Sequence, residues 1–555
     1  MPKLTGARFV AEAVRGYGLS HVFYMPYIMP EAILEMDKLG VTAIQSHGEK
    51  AAAYMADAYA RVRRGPSLVM AQSVGAANLA AGLQDAYLAC SPVIALTGRE
   101  RQHHLNRNSY QEVDHVKPFA SVTKYSAHVP ALETLPMYLR QAFRSAVSGT
   151  PGPTHLDLEG IAGLTISDGE IDAEVIVEQQ FTQVPAFRPV ADPATIAKAL
   201  ELLGTASRPV IVAGGGVTAS DAREELIGLA EKLSIPVATA LNAKAMFPAD
   251  HPLAIGTPGN YSRECTNRIL CQADMVFFIG SHTGGQLTHD FRIPPQGTRA
   301  IQLDINGEEI GRNYTVEVGI QGDAKASLAA MIKAASPGPD RADWLTEVQG
   351  MVARWKDSVE EHWNSDWSPL RPERICRELS EHLPSDAILV SDTGHSGVWT
   401  GTMLDLKHPT QSFIRCAGSL GWGLPAALGA KCAAPDRPVL CFTGDGGIWY
   451  HISELETAMK ENLHVVILVN NNHSLNQEKN AVESYEGQSA ASDKQWLFPD
   501  ADFAAIARSM GAEGLTVDKP ADLPGALDKA FSATGPVLID VKSHVDAIAP
   551  LAWLP

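Results

Sequence analysis

No lysine or arginine tract of any length occurs in the 555 residues, and acidic side chains outnumber basic ones 63 to 45, a net charge of −18. A nucleic-acid or anionic-membrane partner therefore has no electrostatic footing. No apolar run approaches the ~18–20 residues that a membrane span needs. The start lacks the apolar core of a signal peptide, because Arg8, Glu12 and Arg15 interrupt it. The seven cysteines (90, 265, 271, 376, 416, 432 and 441) are odd in number, scattered, and without a C-x-x-C spacing. They read as reduced core residues, neither a disulfide framework nor a zinc site. What the chain has in quantity is apolar surface: 45% of residues are hydrophobic and 19% charged, a globular composition. At roughly 100–200 residues per domain the length predicts three or four domains. A large cytoplasmic enzyme acting on small molecules is the expectation.

Three α/β segments follow one another. In the first, the apolar runs Val22–Tyr24, Val41–Ile44, Ser67–Ala71 and Pro92–Thr97 alternate with helical stretches, Glu49–Arg63 and Gly75–Ala89. In the second helix Leu79, Leu83 and Tyr87 are spaced as one face. Strands alternating with helices predict parallel βαβ units. Residues 166–191 read as a linker. The second segment holds Pro209–Ala213 followed by Gly214, Gly215 and Gly216, then Asp274–Gly280 and Arg299–Asp304. After a break at Ser336–Asp340, the third holds Ala387–Asp392, Pro438–Thr443, His464–Val469 and Pro536–Asp540, continuous apolar runs as in strands buried on both faces. The first and third segments share a strand–loop–helix rhythm, a hint of duplication.

The third segment carries the most informative stretch: Thr443-Gly-Asp-Gly-Gly447, a helix around Ile452–Glu461, then a strand ending in Asn470-Asn-Asn-His-Ser474. A right-handed crossover between parallel strands sets their carboxyl ends side by side, so Asp445 and Asn472 would meet at one sheet edge. A carboxylate, an amide oxygen and a loop carbonyl are hard oxygen donors suited to Mg²⁺ that also takes phosphate oxygens. Gly444, Gly446 and Gly447 let the backbone approach a phosphate, and the helix N-terminus behind them adds donors.

This pattern, G-D-G with E-L-x-T-A in the helix and N-N after the next strand, resembles the signature of thiamine-diphosphate (ThDP) enzymes of the acetolactate synthase/pyruvate decarboxylase-like family. The resemblance implies that Asp445, Asn472 and the Ser474 carbonyl hold the Mg²⁺. The family spacing puts Asn472, not Asn471, at the metal, with Asn470 ending the strand. Ser391-Asp-Thr-Gly-His395 resembles the strand-end turn used against the diphosphate, which implicates Gly394 and His395. Gly418-Ser-Leu-Gly-Trp-Gly-Leu-Pro-Ala426 resembles the family's G-x-M-G-x-G-L-P-A, and Leu420 falls where the family places an apolar wedge that bends the cofactor into its reactive shape.

ThDP chemistry needs a carboxyl group that exchanges a proton with N1′ of the pyrimidine in a dry pocket. Ser46-His-Gly-Glu49 and the helix to Arg61 resemble H-E-x-x-A-x-x-A-D-G-Y-A-R, and Glu49, at the carboxyl end of a strand, is the implied catalytic residue and cofactor contact. A buried Glu whose pKa is raised by desolvation suits the task. The chain departs from the family in having Gly48 before Glu49, with His47 one place earlier, and Ala58 before Tyr59. Gln72–Leu79 resembles S-G-P-G-A-T-N, losing Pro and gaining Val74. Tyr110-Gln-Glu-Val-Asp114 resembles F-Q-E-x-D, which places Gln111 near substrate. Gln72 joins it, while Tyr27, Ile28 and Met29 replace a Gly-rich stretch and predict a more apolar acceptor pocket. His103 and His104 read as surface residues, and residues 476–495 as a mobile covering segment.

The resemblance spans residues 3–545 and implies three open parallel-sheet α/β domains: pyrimidine-binding (1–170), central Rossmann-like (190–335) and diphosphate-binding (345–555). It also implies a homodimer or homotetramer with the cofactor between subunits. Glycines 214–216 lack the full G-x-G-x-x-G. Gly280-Ser-His-Thr-Gly-Gly-Gln286 stands where FAD-binding members carry an Arg-Phe-Asp-Asp-type run, so ThDP and Mg²⁺ are expected and FAD is not. The first reading of function is C–C cleavage and carboligation of a 2-oxo acid or 1,2-diketone donor to a carbonyl acceptor. The alternatives are a non-ligating decarboxylase, a diketone C–C hydrolase, and a ThDP- or nucleotide-binding relative without catalysis. Retention of Glu49 beside Asp445 and Asn472 argues against the last.

Overall fold

The computed structural model describes residues 3–555. β1 (Leu4–Thr5) pairs antiparallel with β8 (Glu170–Ile171). Between them lie β2 (His21–Met25), β3 (Thr42–Gln45), β4 (Ser67–Ala71), β5 (Val93–Arg99), β6 (Tyr125–Val129) and β7 (Thr154–Glu159). They form a six-stranded parallel sheet in the order β3-β2-β4-β5-β7-β6. The second sheet contains β9 (Pro209–Ala213), β10 (Val237–Thr239), β11 (Ala254–Gly256), β12 (Met275–Ile279), β13 (Arg299–Asp304) and β14 (Val318–Gln321). Its order is β11-β10-β9-β12-β13-β14, a doubly wound arrangement whose direction of winding reverses between β9 and β12. The third contains β15 (Ile388–Ser391), β16 (Ser412–Arg415), β17 (Val439–Gly444), β18 (Val466–Asn471), β19 (Glu513–Val517) and β20 (Val537–Lys542). Its order, β16-β15-β17-β18-β20-β19, repeats that of the first sheet strand for strand. Every residue of β4, β9, β12 and β18 is buried, as parallel strands covered on both faces require.

The first and third sheets are joined by helix packing. The Glu49–Arg63 helix follows Gly48 in extended conformation, has an acid in its first turn and arginines in its last, both favourable to the helix dipole. Its residues from Ala51 to Ala60 are all buried, because it lies between the Gly75–Leu88 helix and the Gly423–Ala433 helix of the third domain. Small residues make this approach close: a Cβ at Gly429 would fall 1.9 Å from the Met55 carbonyl oxygen. Within the seam Asp57, fully buried, pairs with Arg61 and accepts the Trp422 indole N–H at 3.0 Å. This satisfies a carboxylate that burial alone would penalise.

Three expectations need amendment. Tyr87 does not share the buried face of Leu79 and Leu83; it is exposed. Residues 166–191 are not a free linker: β8 pairs with β1, and Glu178 is held by Arg144 at 2.6 Å and Arg140 at 3.2 Å. All seven cysteines are free, but Cys90 and Cys271 are only half-buried.

Candidate active site

β17 and β18 are neighbours in register, Gly444 opposite Asn470, so the turns leaving them sit together. Asp445, 3% exposed, opens a short helical turn; its Oδ1 accepts the Gly446 N–H at 2.8 Å and its Oδ2 the Ser474 N–H at 2.9 Å. The Ser474 hydroxyl donates to Asn472 Oδ1 at 2.8 Å. Asp445, Asn472 and Ser474 are thus one cluster. The strand runs one residue further than the sequence suggests, to Asn471. Asn471 is committed elsewhere, donating to Asp540 Oδ1 at 2.8 Å and to the Ala501 carbonyl.

The donors fit a divalent cation that carries a diphosphate. Burial pushes the Asp445 carboxyl up to about 6 despite its N–H donors, so a cation beside it would relieve the cost of its charge. Among the described residues no group of three or more His, Cys, Asp or Glu side chains is arranged to hold a metal. The fit is therefore to a mixed carboxylate, amide and carbonyl set, which leaves positions for phosphate oxygens. The turn is also closed to side chains: a Cβ at Gly447 would lie 2.7 Å from Thr443 Oγ1, and one at Gly446 would lie 2.5 Å from Leu475 Cδ2.

Sequence reasoning missed Asp392, although it stands inside the Ser391–His395 motif. Buried at 1% exposure, its carboxylate accepts four hydrogen bonds: from Thr393 N–H (2.8 Å), Gly421 N–H (3.1 Å), Gly423 N–H (3.2 Å) and the Thr443 hydroxyl (3.0 Å). One side chain fastens three of the implied cofactor segments together. Desolvation pushes its carboxyl up to about 6. The sequence offered only an acid directly after the mostly apolar run Ala387–Ser391; its partners are set by the fold. Gly394, at φ +65, caps the His395–Thr402 helix. Burial pushes the His395 imidazole down to about 4, and among the described residues its Nδ1 has no partner. Gly418 is exposed and Leu420 half-buried; among the described residues a Cβ at Gly418 would meet nothing within 4 Å.

The covering segment is helical, with Asn476–Glu486 and Ala490–Trp496 hinged at Gly487. It lies over the turn glycines, with Leu475 and Phe498 against Gly446 and Gln477 against Gly394.

On the first domain, Glu49 begins its helix at the carboxyl edge of the sheet. Its Oε2 accepts from Asn78 Nδ2 at 3.2 Å, and Gly75 leaves room for Oε1. The preceding His47 docks on the third domain, its N–H donating to Glu454 at 3.0 Å and its Nε2 lying 2.7 Å from Glu456. Glu49 is half-buried in the single chain, not fully buried as anticipated, because this edge of the sheet opens at the surface. Gln111, at φ +57, receives the Ser73 hydroxyl on its carbonyl, and among the described residues its buried side-chain oxygen has no partner; Gln72, next to Ser73 in sequence, is half-buried. Tyr27 is exposed, but Ile28 is buried in the core of the first domain with Met29, so it does not line an open surface. His103 is exposed and His104 lies 3.1 Å from Glu100. Among the described residues no hydrogen bond or salt bridge joins Glu49 to the Asp445–Ser474 cluster of the same chain.

A separate cavity of about 510 Å³ opens at the carboxyl edge of the second sheet, between the turns after β9 and β12. Gly214–Gly216, His282, Gln286 and Asp304 line it, with Cys90 from the first domain.

Two sheets of one topology, a carboxylate turn at the edge of one and a glycine-cradled oxygen cluster at the edge of the other, with a doubly wound domain between, define an enzyme that uses thiamine diphosphate. The chain belongs to the thiamine pyrophosphate enzyme family: residues 4–117 match its N-terminal TPP binding domain, 196–331 its central domain and 392–541 its C-terminal TPP binding domain. It is 32% identical to a probable acetolactate synthase large subunit of Methanocaldococcus jannaschii, covering all of this chain and 94% of that protein. It is also 32% identical to a sulfoacetaldehyde acetyltransferase of Alcaligenes xylosoxydans xylosoxydans (95% and 90% covered). Identity to the acetolactate synthase isozyme 1 large subunit of Escherichia coli is 30%, with 97% and 94% covered.

Proposed function

We propose that this enzyme, with ThDP and Mg²⁺, breaks a C–C bond beside a carbonyl of a 2-oxo acid or 1,2-diketone and transfers the fragment to a carbonyl acceptor. The observation that carries this reading is that Glu49 stands at the carboxyl edge of one sheet and a cation-competent Asp445–Asn472–Ser474 cluster at the carboxyl edge of another of the same topology. The names of the relatives, a synthase and an acetyltransferase, support transfer as the outcome.

When bound, the cofactor supplies a nucleophilic carbon and an electron sink. Glu49 would exchange a proton with the pyrimidine ring nitrogen; Asn78 keeps its carboxyl group oriented. Asp445 and Asn472 offer side-chain oxygens, and Ser474 its carbonyl, to the Mg²⁺. Gly444, Gly446 and Gly447 would admit the diphosphate to the backbone, Gly394 and Gly418 would flank it, and His395 would stay neutral beside it. Leu420 would lie beneath the cofactor. The Asn476–Glu486 helix excludes water, and Tyr27, Gln72 and Gln111 border the acceptor side.

The same reading makes the active unit a homodimer or homotetramer in the cytoplasm, with domains at 1–170, 190–335 and 345–555. Its support is that Tyr27, Val74, Tyr110 and Val113 around the Glu49 edge, and Trp449 and Tyr450 after the Asp445 turn, are exposed; a second copy would cover them and bury Glu49. The central domain holds no FAD in this reading, on the strength of its Gly280–Gln286 turn. Stoichiometric flavin absorbance in active enzyme would overturn that part.

The test is turnover of pyruvate, benzoylformate, oxalyl-CoA, sulfoacetaldehyde and cyclic or acyclic diketones, with and without aldehyde acceptors, in wild type and Glu49→Gln. Loss of about 10²–10⁴-fold in the variant is expected, the usual worth of positioned proton transfer. Equal turnover in both would remove the reading's central residue. Cleavage without any ligated product under saturating acceptor would replace transfer by decarboxylation or hydrolysis.

A further inference from the structure

The Leu420 loop is gripped by a carboxylate from another domain. Asp85, 1% exposed, lies on the Gly75–Leu88 helix of the first domain. Its Oδ1 accepts the N–H of Ala417, and its Oδ2 accepts the N–H of Ser419 at 3.0 Å. On the other side of Leu420, the Gly421 N–H is held by Asp392 at 3.1 Å. Leu420 is therefore bracketed by two buried carboxylates, one from each domain, while Gly418 between the Asp85 contacts stays exposed. A buried carboxylate accepting two main-chain N–H groups gives short, charge-assisted bonds that fix a loop more firmly than neutral contacts do.

We propose that Asp85 is a positioning residue for Leu420: it sets the height of the wedge and hence the reactivity of bound ThDP, without itself touching cofactor or substrate. This rests on the reading of Leu420 as the support beneath the cofactor. The helix that carries Asp85 also carries Asn78, seven residues earlier and so on the same face two turns away. Asn78 acts on Glu49 and Asp85 on the Leu420 loop, so substitutions at the two positions separate proton exchange from cofactor bending.

The test is hydrogen–deuterium exchange at C2 of ThDP in holoenzyme saturated with ThDP and Mg²⁺, read by rapid quench and proton NMR, beside ThDP affinity and melting temperature. In Asp85→Asn one of the two accepting oxygens becomes an N–H group facing an N–H donor. Exchange is expected to fall about 10- to 100-fold, the scale of a sub-ångström misplacement of reacting groups, with cofactor still bound. Leu420→Ala should show the same fall, and the double variant no further loss. If Asp85→Asn does not fold, Asp85→Glu, which keeps the charge but shifts it by a methylene, should slow exchange in its place. Undiminished exchange in the folded Asp85 variant, or additive losses in the double variant, would overturn the proposal. Glu49→Gln in the same assay identifies the source of a failure. If it loses exchange while the Asp85 variant keeps it, only the positioning role falls; if it too keeps exchange, the reading of the site falls with it.

Discussion

Glu49 Oε1 occupies the space in which a side chain at Gly75 would begin: a Cβ there would lie 2.3 Å from Oε1 and 3.0 Å from Cγ. The carboxylate reaches its position because residue 75 has no side chain. Gly75→Ala is therefore expected to push Glu49 aside and lower kcat at least about tenfold. The fold should lose little, because what must move is the end of a half-buried side chain. Steady-state kinetics beside a thermal melt separate the two effects.

Asp392 makes a different demand. Asp392→Asn keeps the volume but turns an amide group toward N–H or hydroxyl donors, leaving buried groups unpaired at a cost of about 1–3 kcal/mol. Urea unfolding should show that loss, and titration calorimetry a weaker affinity for ThDP, since the Thr393, Gly421 and Thr443 segments lose their common anchor.

The adjacent residues Asn471 and Asn472 should separate structure from cofactor binding. Asn472→Ala is expected to weaken ThDP binding in the presence of Mg²⁺ by no less than about tenfold, the scale of losses at metal sites, with a smaller effect on the cofactor-free protein, where the Ser474 hydroxyl alone loses its acceptor. Asn471→Ala should do the reverse, because its amide serves Asp540 and the Ala501 carbonyl.

One buried histidine gives the fold a pH dependence away from the site. His155 is hydrogen-bonded to Thr97 (2.7 Å) and Ser126 (2.8 Å) and stacked on Phe119. Desolvation pushes its imidazole from 6.5 down to about 3. Between those values only the unfolded chain takes up the proton. The stability that His155 lends is therefore complete above pH 6.5 and is lost as pH falls toward 3. Between pH 7 and pH 5 the loss is about 2 kcal/mol. A variant such as His155→Asn should be less stable at pH 7 and show a correspondingly shallower slope in urea midpoint over that range.

The parts of this molecule that the sequence discloses are those whose chemistry is local. Central strands such as β9 and β12 are apolar throughout because both faces are covered, and they read directly. Edge strands do not: β6 is only half-buried over most of its length and β14 alternates buried with exposed, so neither carries a continuous apolar signal. The Asp445–Ser474 cluster was legible because a single crossover joins its strands. Asp392 and Asp85 were not: apart from Thr393, the partners of Asp392 lie 29 to 51 residues away and those of Asp85 332 to 334, and a lone acid in a helix, such as Asp85, looks like surface until the packing is known. Ile28 misled for the converse reason: a bulky residue in a loop beside a strand end can turn inward as easily as toward the cavity.

In the proposed dimer a complete site takes Glu49 from one chain and the Asp445 cluster from the other. Mixed oligomers put this to the test. Glu49→Gln chains and Asp445→Ala chains, each inactive alone, are unfolded together, reassembled at equal amounts and assayed. A site built across two copies regains one intact Glu49–Asp445 pair in every mixed dimer, which restores about a quarter of wild-type activity for random pairing in a two-fold dimer. Activity no higher than that of the two separate variants would contradict it.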